Sequence, residues 1–304
     1  METQGLHGNA LAALEETVPA CPICGRDRSV SLFGWQDYRV AGGAASSLVF
    51  RCSACDFHFR RLTCSPDQFV THFKVAPYSS AAGEARWLER RLGFYNCLLD
   101  LLDDHAAGKS ILDIGCAFGH FLDCASKRGY RPYGAEVSEA MAGLARSRTQ
   151  YPISCRPLGD LRLPETTFDV VAMVDSFYYF RDPLETLRLC RRIVKPGGEL
   201  LMRVTNRNPL ARLHHFGAHL LHRGVPEMPF WTTDDAVSCY SRRSLTSLMG
   251  LAGFRVRKLT CIERGKKINA FGLNLYYKVT KALALLTGER LSWTPGIVCV
   301  ATPR

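Results

Sequence analysis

Apolar runs and helical repeats alternate along most of the chain, and their order predicts the fold class. Continuous apolar runs are typical of buried parallel strands, which are covered on both faces. The predicted strands after residue 105 are 110–114, 133–136, 152–155, 168–175, a fifth that starts near 199, 254–260 and 296–301. The predicted helices are 84–105, 138–148, 183–193, one that begins at 241, and 271–287. Strands that alternate with helices predict an α/β fold with a doubly wound sheet.

A turn of small residues follows the first strand of this sheet. Gly115, Ala117 and Gly119 lie between the strand and a helical pattern at 121–125. Small residues let a ligand approach the backbone, and the free N–H groups at the start of a helix favour an anion, here a carboxylate. The order of strand, turn and helix therefore predicts a ligand site at the carboxyl end of the strand.

Two acidic residues distinguish this turn from a nicotinamide-binding turn. Asp113 precedes the first glycine by two positions, and the third glycine of the dinucleotide pattern is missing. Glu136 ends the second strand, where a carboxylate can hold ribose hydroxyls. The motif at 112–119 and Glu136 together resemble the class I S-adenosylmethionine-dependent methyltransferases, although Ala117 stands where many members have glycine. A Rossmann-like turn for another nucleotide is the alternative.

The resemblance extends to 194–202, where a Pro-Gly-Gly turn leads into the fifth strand. It implies a Rossmann-like seven-stranded α/β sheet with an antiparallel last strand, and S-adenosylmethionine as cofactor. The further cofactor-binding residues that it suggests are Asp160 near the adenine, Asp175 and Ser176 on the cleft floor, and Tyr78 over the methionine end. A turn aspartate and a linker anchor are the alternatives for Asp160 and Tyr78. The candidate catalytic bases are Tyr179, His214 and His215, and a histidine that many relatives carry near Tyr179 is absent.

Two Cys-x-x-Cys pairs lie in front of the predicted sheet. Their spacing matches a four-thiolate Zn²⁺ site whose ligands are Cys21, Cys24, Cys52 and Cys55. Strand-like segments at 29–39 and 47–50 between the pairs predict a zinc ribbon. A site closed by four thiolates leaves no open position, so we expect its metal to stabilise the fold and not to catalyse. Reduced core thiols are the alternative, and His58 and Cys64 are possible substitute ligands.

These patterns divide the chain into segments, which are an arm (1–18), a zinc ribbon (19–65), a linker and a helix leading into the sheet (66–105), and a methyltransferase domain (106–304) with a lid insertion (206–240). The lid insertion contains four histidines and is expected to select the acceptor, because specificity usually resides in such loops. A membrane-contacting helix and a metal site rank below that interpretation. No acid or cysteine pair accompanies the histidines at ligand spacing.

Charge and cysteine content indicate the kind of partner and the cellular compartment of the protein. The net charge is +11, and residues 201–304 carry 16 Lys/Arg against 5 Asp/Glu. This excess suggests an acidic partner, such as a phosphorylated or carrier-bound small molecule, with a solvated basic surface as the alternative. The 13 cysteines do not form a secreted disulfide pattern, and neither a secretory leader nor a membrane-spanning run is evident. We therefore expect a cytoplasmic protein.

The leading functional hypothesis is methyl transfer to a small, anionic acceptor. A zinc ribbon before this fold resembles bacterial methyltransferases that act on sugars or secondary metabolites, which implies a nucleotide-linked sugar, a polysaccharide precursor or a natural-product intermediate. An RNA methyltransferase is the alternative. The ribbon lacks the basic and aromatic pattern of a stacking platform, so no stable nucleic-acid partner is expected. A silent binding protein is a third possibility, against which the intact Asp113 and Glu136 argue.

Overall fold

The computed structural model describes residues 18–40, 43–75, 81–102, 107–206, 236–261, 271–289 and 293–304. Its strands are β1 (Ser29–Val40), β2 (Gly43–Cys52), β3 (His58–Leu62), β4 (Ser110–Ile114), β5 (Arg131–Ala135), β6 (Ile153–Ser154), β7 (Phe168–Val174), β8 (Val194–Thr205), β9 (Ser238–Cys239), β10 (Phe254–Thr260) and β11 (Gly296–Pro303). Its helices are α1 (Pro66–Val75), α2 (Ala81–Leu99), α3 (His120–Lys127), α4 (Glu139–Arg148), α5 (Pro183–Ile193), α6 (Arg242–Leu251) and α7 (Phe271–Leu286).

The larger sheet has seven strands in the order β6-β5-β4-β7-β8-β11-β10. Strands β4 to β8 are parallel, and β11 runs antiparallel to both of its neighbours. The chain builds outward from β4 to β6 and then returns to β7 on the other side of β4. This reversal opens a crevice at the carboxyl ends of β4 and β7, where α/β sheets bind ligands. The predicted fold class is confirmed.

Alternate side chains of the central strands pack on opposite faces of this sheet, as their apolar runs predict. On one face, Ile111 and Val170 pack with residues of α2 and α3. On the other face, Leu112 and Val171 pack with α5, α6 and the N-terminal segment. Both faces are therefore covered, and the sheet is the centre of the core.

Polar caps fix the starts of several helices at the predicted positions. The Ser138 side chain accepts a hydrogen bond from the Met141 amide at the start of α4, and Asp182 caps α5 in the same way. Ser241 and Ser244 form a reciprocal capping box at the start of α6. Local sequence therefore sets these boundaries.

A helix also lies in the segment expected to be a linker. Residues 66–75 form α1, and its start is a second reciprocal cap. Ser65 Oγ accepts from the Gln68 amide at 3.2 Å, while Gln68 Oε1 accepts from the Ser65 amide at 2.9 Å. The sequence Ser-Pro-Asp-Gln is the signature of this capping box and explains why the helix begins there.

The smaller sheet has the order β1-β2-β3-β9, and the two cysteine pairs come together beside the end of β2. Its fourth strand, β9, comes from the segment that ends the predicted lid insertion, and Phe59 pairs with Ser238. Residues 236–240 are buried, with Val237 4% exposed and Tyr240 fully covered. The C-terminal end of 206–240 is therefore part of the core and not of a surface lid, and 207–235 lie outside the described residues.

Candidate active site

The turn after β4 has the tight backbone that its small residues predict. Gly115 has φ +80°, Ala117 +47° and Gly119 +77°, all in the left-handed region. The amides of Gly115 and Cys116 both donate to the Ala135 carbonyl, at 2.7 and 3.1 Å. These bonds tie the turn to the end of β5, so the tips of the two strands form one wall of the crevice.

Glu136 closes that wall with its carboxylate. Its Oε2 accepts from the Ala117 amide at 2.9 Å, and its Oε1 accepts from the Ser138 amide at 3.0 Å. Burial raises the pKa of Glu136, and the backbone donors partly oppose that rise. Each carboxylate oxygen has two lone-pair sites, so these bonds leave capacity to accept ribose hydroxyls.

Asp113 lies on β4 beside this wall and is almost completely buried, with 2% exposure. Its Oδ1 has no hydrogen-bond partner. Burial raises its pKa well above the ordinary value, and the negative charge of Glu136 adds to the rise. A buried acceptor without a donor costs about 1–3 kcal/mol, which a cationic ligand group at this position offsets. The ammonium group of an amino-acid moiety fits this requirement.

The opposite wall of the crevice begins at the end of β7. A Cβ built on Gly115 would lie 2.5 Å from the Cβ of Ser176, and Ser176 Oγ donates to the Ile114 carbonyl. The two strand tips are thus in direct contact. Glycine is required at position 115 both for its φ and for this approach.

We expect Gly115→Ala to destabilise the protein by about 1–3 kcal/mol and to weaken binding of an adenosyl ligand, because the new Cβ is strained and displaces Ser176. Chemical denaturation and calorimetry measure the two effects. Gly143→Ala is the matched control, since this glycine lies in α4 with open space around its Cα. An unchanged stability for Gly115→Ala would contradict the tight contact.

A buried ion-pair cluster at the carboxyl ends of β7 and β8 is a feature that the sequence analysis misses. Asp175 has φ +61° and bonds two guanidinium groups, those of Arg91 from α2 and Arg203 from β8. The Arg203 side chain is 3% exposed. Burial alone would lower the pKa of Arg91, but the charge of Asp175 keeps it above its usual value. The available signal was an arginine inside the apolar run of β8.

Arg91 also interacts with Tyr95 of the same helix. Tyr95, one turn along α2, is fully buried, and burial raises its pKa. Both Arg91 and Asp113 act on Tyr95 electrostatically. Helix α2 therefore places the Arg91 guanidinium group against Asp175, at the carboxyl end of β7.

The remaining predicted site residues fall into two groups. Tyr179 is half-buried in a short 3₁₀ turn (Phe177–Tyr179) after β7, with its ring 4.6 Å from that of Tyr178. Asp160 is exposed at the end of another 3₁₀ turn, beyond β6. Both turns are at the carboxyl edge of the sheet. The other candidates, Tyr78, His214 and His215, lie outside the described residues.

The four cysteines of the two N-terminal pairs converge on one point. Cys21 Sγ lies 3.6 Å from Cys55 Sγ, Cys24 Sγ lies 3.6 Å from Cys52 Sγ, and all four sulfur atoms lie within 4.8 Å of one another. Four thiolates around a zinc ion at about 2.3 Å are separated by about 3.8 Å. The donor set and its spacing therefore fit a tetrahedral Zn²⁺.

The small sheet contacts the crevice through a stack of rings. The Phe57 ring lies 5.2 Å from Tyr240, and Tyr240 lies 5.4 Å from Phe177 in the turn that follows Asp175. The Val237 amide donates to the Tyr178 carbonyl at 2.9 Å, and the Val237 carbonyl accepts from the Arg60 backbone amide at 2.8 Å. The small sheet therefore packs against the turn that contains Tyr179 and is hydrogen-bonded to it.

The strand order of the large sheet and the acidic wall beside its glycine turn define the class of the protein. It is a Rossmann-like methyltransferase of the kind that uses S-adenosylmethionine. A family model described as "Methyltransferase domain" matches residues 86–259. The chain therefore belongs to this methyltransferase family and is an S-adenosylmethionine-dependent enzyme.

The curated relatives are also methyltransferases by name. The chain is 28% identical over 210 residues to a ubiquinone biosynthesis O-methyltransferase of Pseudomonas aeruginosa, covering 63% of this chain and 90% of the relative. The Pseudomonas fluorescens enzyme of that name is 29% identical over 212 residues, with the same coverage.

Two solved structures share the fold. One is a chain from the complex between the Trm112 methyltransferase activator of Haloferax volcanii and a methyltransferase, with a TM-score of 0.55 and 19% identity over 79% of this chain and 99% of that chain. The other is an S-adenosylmethionine-dependent methyltransferase of Leishmania major, with a TM-score of 0.52 and 13% identity over 78% of this chain and 85% of that chain.

Proposed function

We propose that the protein methylates an oxygen atom of a small, anionic acceptor. The observation that carries the proposal is the pairing of Asp113 and Glu136 around one small-residue turn, which suits an adenosyl amino acid. The names of the curated relatives support oxygen as the acceptor atom. The basic excess in residues 201–304 supports an acidic acceptor, such as a phosphorylated or carrier-bound intermediate.

In this proposal, named side chains of the protein hold each part of the cofactor. Glu136 accepts the ribose hydroxyls, and Asp113 accepts from the ammonium group of the methionine portion. Arg91 donates to the methionine carboxylate, because a guanidinium fork has five N–H donors and can serve a ligand as well as Asp175. Asp160 is assigned to the adenine edge, and Tyr78 to the methionine end.

The cofactor supplies an already activated methyl group, so the protein contributes mainly orientation. Ser176 and Asp175 fix the floor of the crevice, through the bond to Ile114 and the two arginines. A hydroxyl acceptor must lose its proton during transfer. Tyr179, His214 and His215 are the candidate bases. The contacts of the small sheet with the turn after β7 fix the position of Tyr179.

We further propose that Cys21, Cys24, Cys52 and Cys55 bind a structural zinc ion. The four sulfur atoms supply every ligand of a closed tetrahedral site, so the ion would have no open position for a substrate. Its role is to hold the small sheet together beside the crevice.

Calorimetry with S-adenosylmethionine and its demethylated product tests the cofactor site. We expect Glu136→Ala to weaken binding of both compounds about tenfold or more, because two ribose hydroxyls lose a charged acceptor. The exposed Glu139→Ala, three positions further along the chain, is the control and should leave affinity unchanged. Equal affinities for wild type and Glu136→Ala would remove this carboxylate from the site.

The acceptor class needs a separate experiment. Product formation from labelled S-adenosylmethionine is compared across hydroxyl-bearing anionic small molecules and total RNA. Methylation confined to small molecules supports the proposal. Methylation of RNA, with an affinity that falls steeply as salt rises, would replace it by the nucleic-acid alternative.

A further inference from the structure

Helix α7 exposes several large apolar side chains on one side. Thr280 and Ala284, on one side of the helix, are buried, with 2% and 0% exposure. Leu275, Val279 and Leu286, on the opposite side, are 57%, 58% and 86% exposed. Exposed apolar residues that cluster on one side of a helix mark a candidate interaction surface.

The exposed residues form one continuous surface, which we name the α7 stripe. Positions 275, 279, 282 and 286 recur at helical spacing and share one side of the helix. Leu285, which is 57% exposed, widens the stripe on one flank. The α7 stripe consists of Leu275, Val279, Ala282, Leu285 and Leu286.

Lysines are the only charged residues in the sequence of α7. Lys278 is exposed on the same flank as Leu285, Lys281 is half-buried, and Phe271–Leu286 contains no aspartate or glutamate. Lysine can keep its ammonium group in a polar layer while its methylene chain covers apolar surface. Apolar residues with flanking lysines and no acid suit a surface that is both apolar and anionic.

The end of α7 is anchored at the edge of the sheet that carries the crevice. Glu289, three residues beyond the helix, accepts from Arg242 and Thr260 at 2.8 Å and from the Cys261 amide at 2.6 Å. Thr260 is the last residue of β10, and β10 runs parallel to β8 because both are antiparallel to β11. The anchor of α7 is therefore at the same edge as the carboxyl ends of β4 and β7.

We propose that the α7 stripe is a docking surface for an anionic lipid bilayer. The helix lies in the plane of the membrane surface, with its leucines and Val279 among the acyl chains and its lysines at the headgroups. It does not cross the bilayer, because no described helix is long and apolar enough to do so. A docked protein holds the carboxyl edge of its sheet near the lipid, where an acceptor with a lipid carrier is available.

A second copy of the chain fits the stripe less well than a bilayer. A two-fold contact through α7 places the lysines of one helix against those of the other, with no acidic residue on either helix to offset the repulsion. An anionic headgroup layer supplies the missing negative charge.

Flotation with lipid vesicles tests this surface on the full chain. We expect binding to vesicles of phosphatidylglycerol and phosphatidylcholine in equal parts, and little binding to phosphatidylcholine alone. Leu275→Ser combined with Leu286→Ser should lower the bound fraction about tenfold, and Lys278→Glu should lower it and reduce its salt dependence. Leu251→Ser, a similarly exposed leucine on α6, is the control and should bind as wild type does.

Three results would overturn the proposal. The first is that the wild-type protein does not bind anionic vesicles. The second is that the double serine variant binds as well as wild type, which would assign the contact to another segment, such as 207–235. The third is that light scattering shows a dimer for wild type and a monomer for the double serine variant. The proposal stands apart from the assigned cofactor site. Calorimetry with S-adenosylmethionine should give the same affinity for wild type and the stripe variants, so failure of one proposal is separable from failure of the other.

Discussion

Asp113→Asn is expected to weaken S-adenosylmethionine binding by about 10- to 100-fold, because a charge-assisted bond to the ligand ammonium contributes about 1.5–3 kcal/mol. In the ligand-free protein the same change is expected to be stabilising at alkaline pH. It removes a buried charge whose Oδ1 has no partner, while keeping the shape of the side chain. Calorimetry and chemical denaturation measure the two effects.

The pH dependence of this site follows from the raised pKa of Asp113. The folded protein without ligand holds the proton of Asp113 more tightly than the unfolded chain does. The contribution of Asp113 to the free energy of unfolding is therefore fully present at acid pH. It is lost as pH rises from the ordinary carboxyl pKa of 3.8 through the raised pKa of the folded protein. Cofactor affinity rises over the same window, because the ionised carboxylate is the form that pairs with an ammonium group.

Asp113→Asn should reduce the pH dependence of both the stability and the cofactor affinity. The raised pKa of Glu136 accounts for the pH dependence that remains. Asp100→Asn is the control, since Asp100 is an exposed acid in a surface pair with Arg128. If Asp113→Asn binds the cofactor as tightly as wild type does, and its affinity changes with pH in the same way, Asp113 does not contact the ammonium group.

Removal of the metal is expected to have the second large effect. Zinc binding contributes about 10–16 kcal/mol to the folding of small zinc domains, so a chelator or Cys52→Ala should unfold the small sheet. The unfolding temperature should fall, and amide exchange should rise at Arg60 and Val237, whose backbone bonds join that sheet to the crevice. Hydrogen exchange read by mass spectrometry reports both segments.

Cys64→Ala is the matched control for the metal experiment. Cys64 is a buried thiol just beyond β3 and outside the four-cysteine cluster. This variant should keep one zinc ion per chain and keep Val237 protected. A purified wild-type protein that contains no metal, and whose stability a chelator does not change, would identify the four cysteines as reduced core thiols.

Most of the large sheet could be predicted from the sequence because its signals are local. Apolar runs mark the buried strands, Ser138 marks the start of α4, and the glycine turn with Glu136 marks the edge where the crevice opens. Each of these depends on a few adjacent residues and on general rules of helix capping and sheet topology. The capping box at Ser65 marks the start of helix α1 in the same local way, although the segment is expected to be a linker.

Contacts between distant segments could not be predicted in this way. The cluster of Arg91, Asp175 and Arg203 joins α2, β7 and β8, and no spacing in the sequence relates the three residues. The pairing of β9 with β3 is equally non-local, since a strand as short as Ser238–Cys239 has no periodicity of its own. Both features depend on the folded arrangement of elements that are far apart in the chain.

The origin of β9 also affects how the protein is made. A ribosome completes both cysteine pairs early, but the strand that covers the free edge of β3 emerges only after most of the large sheet has been synthesised. Until then β3 has unpaired backbone groups that can pair with another chain. A fragment cut after β3 would keep the four cysteines and still be prone to aggregate, so the N-terminal segment is poorly suited to expression on its own.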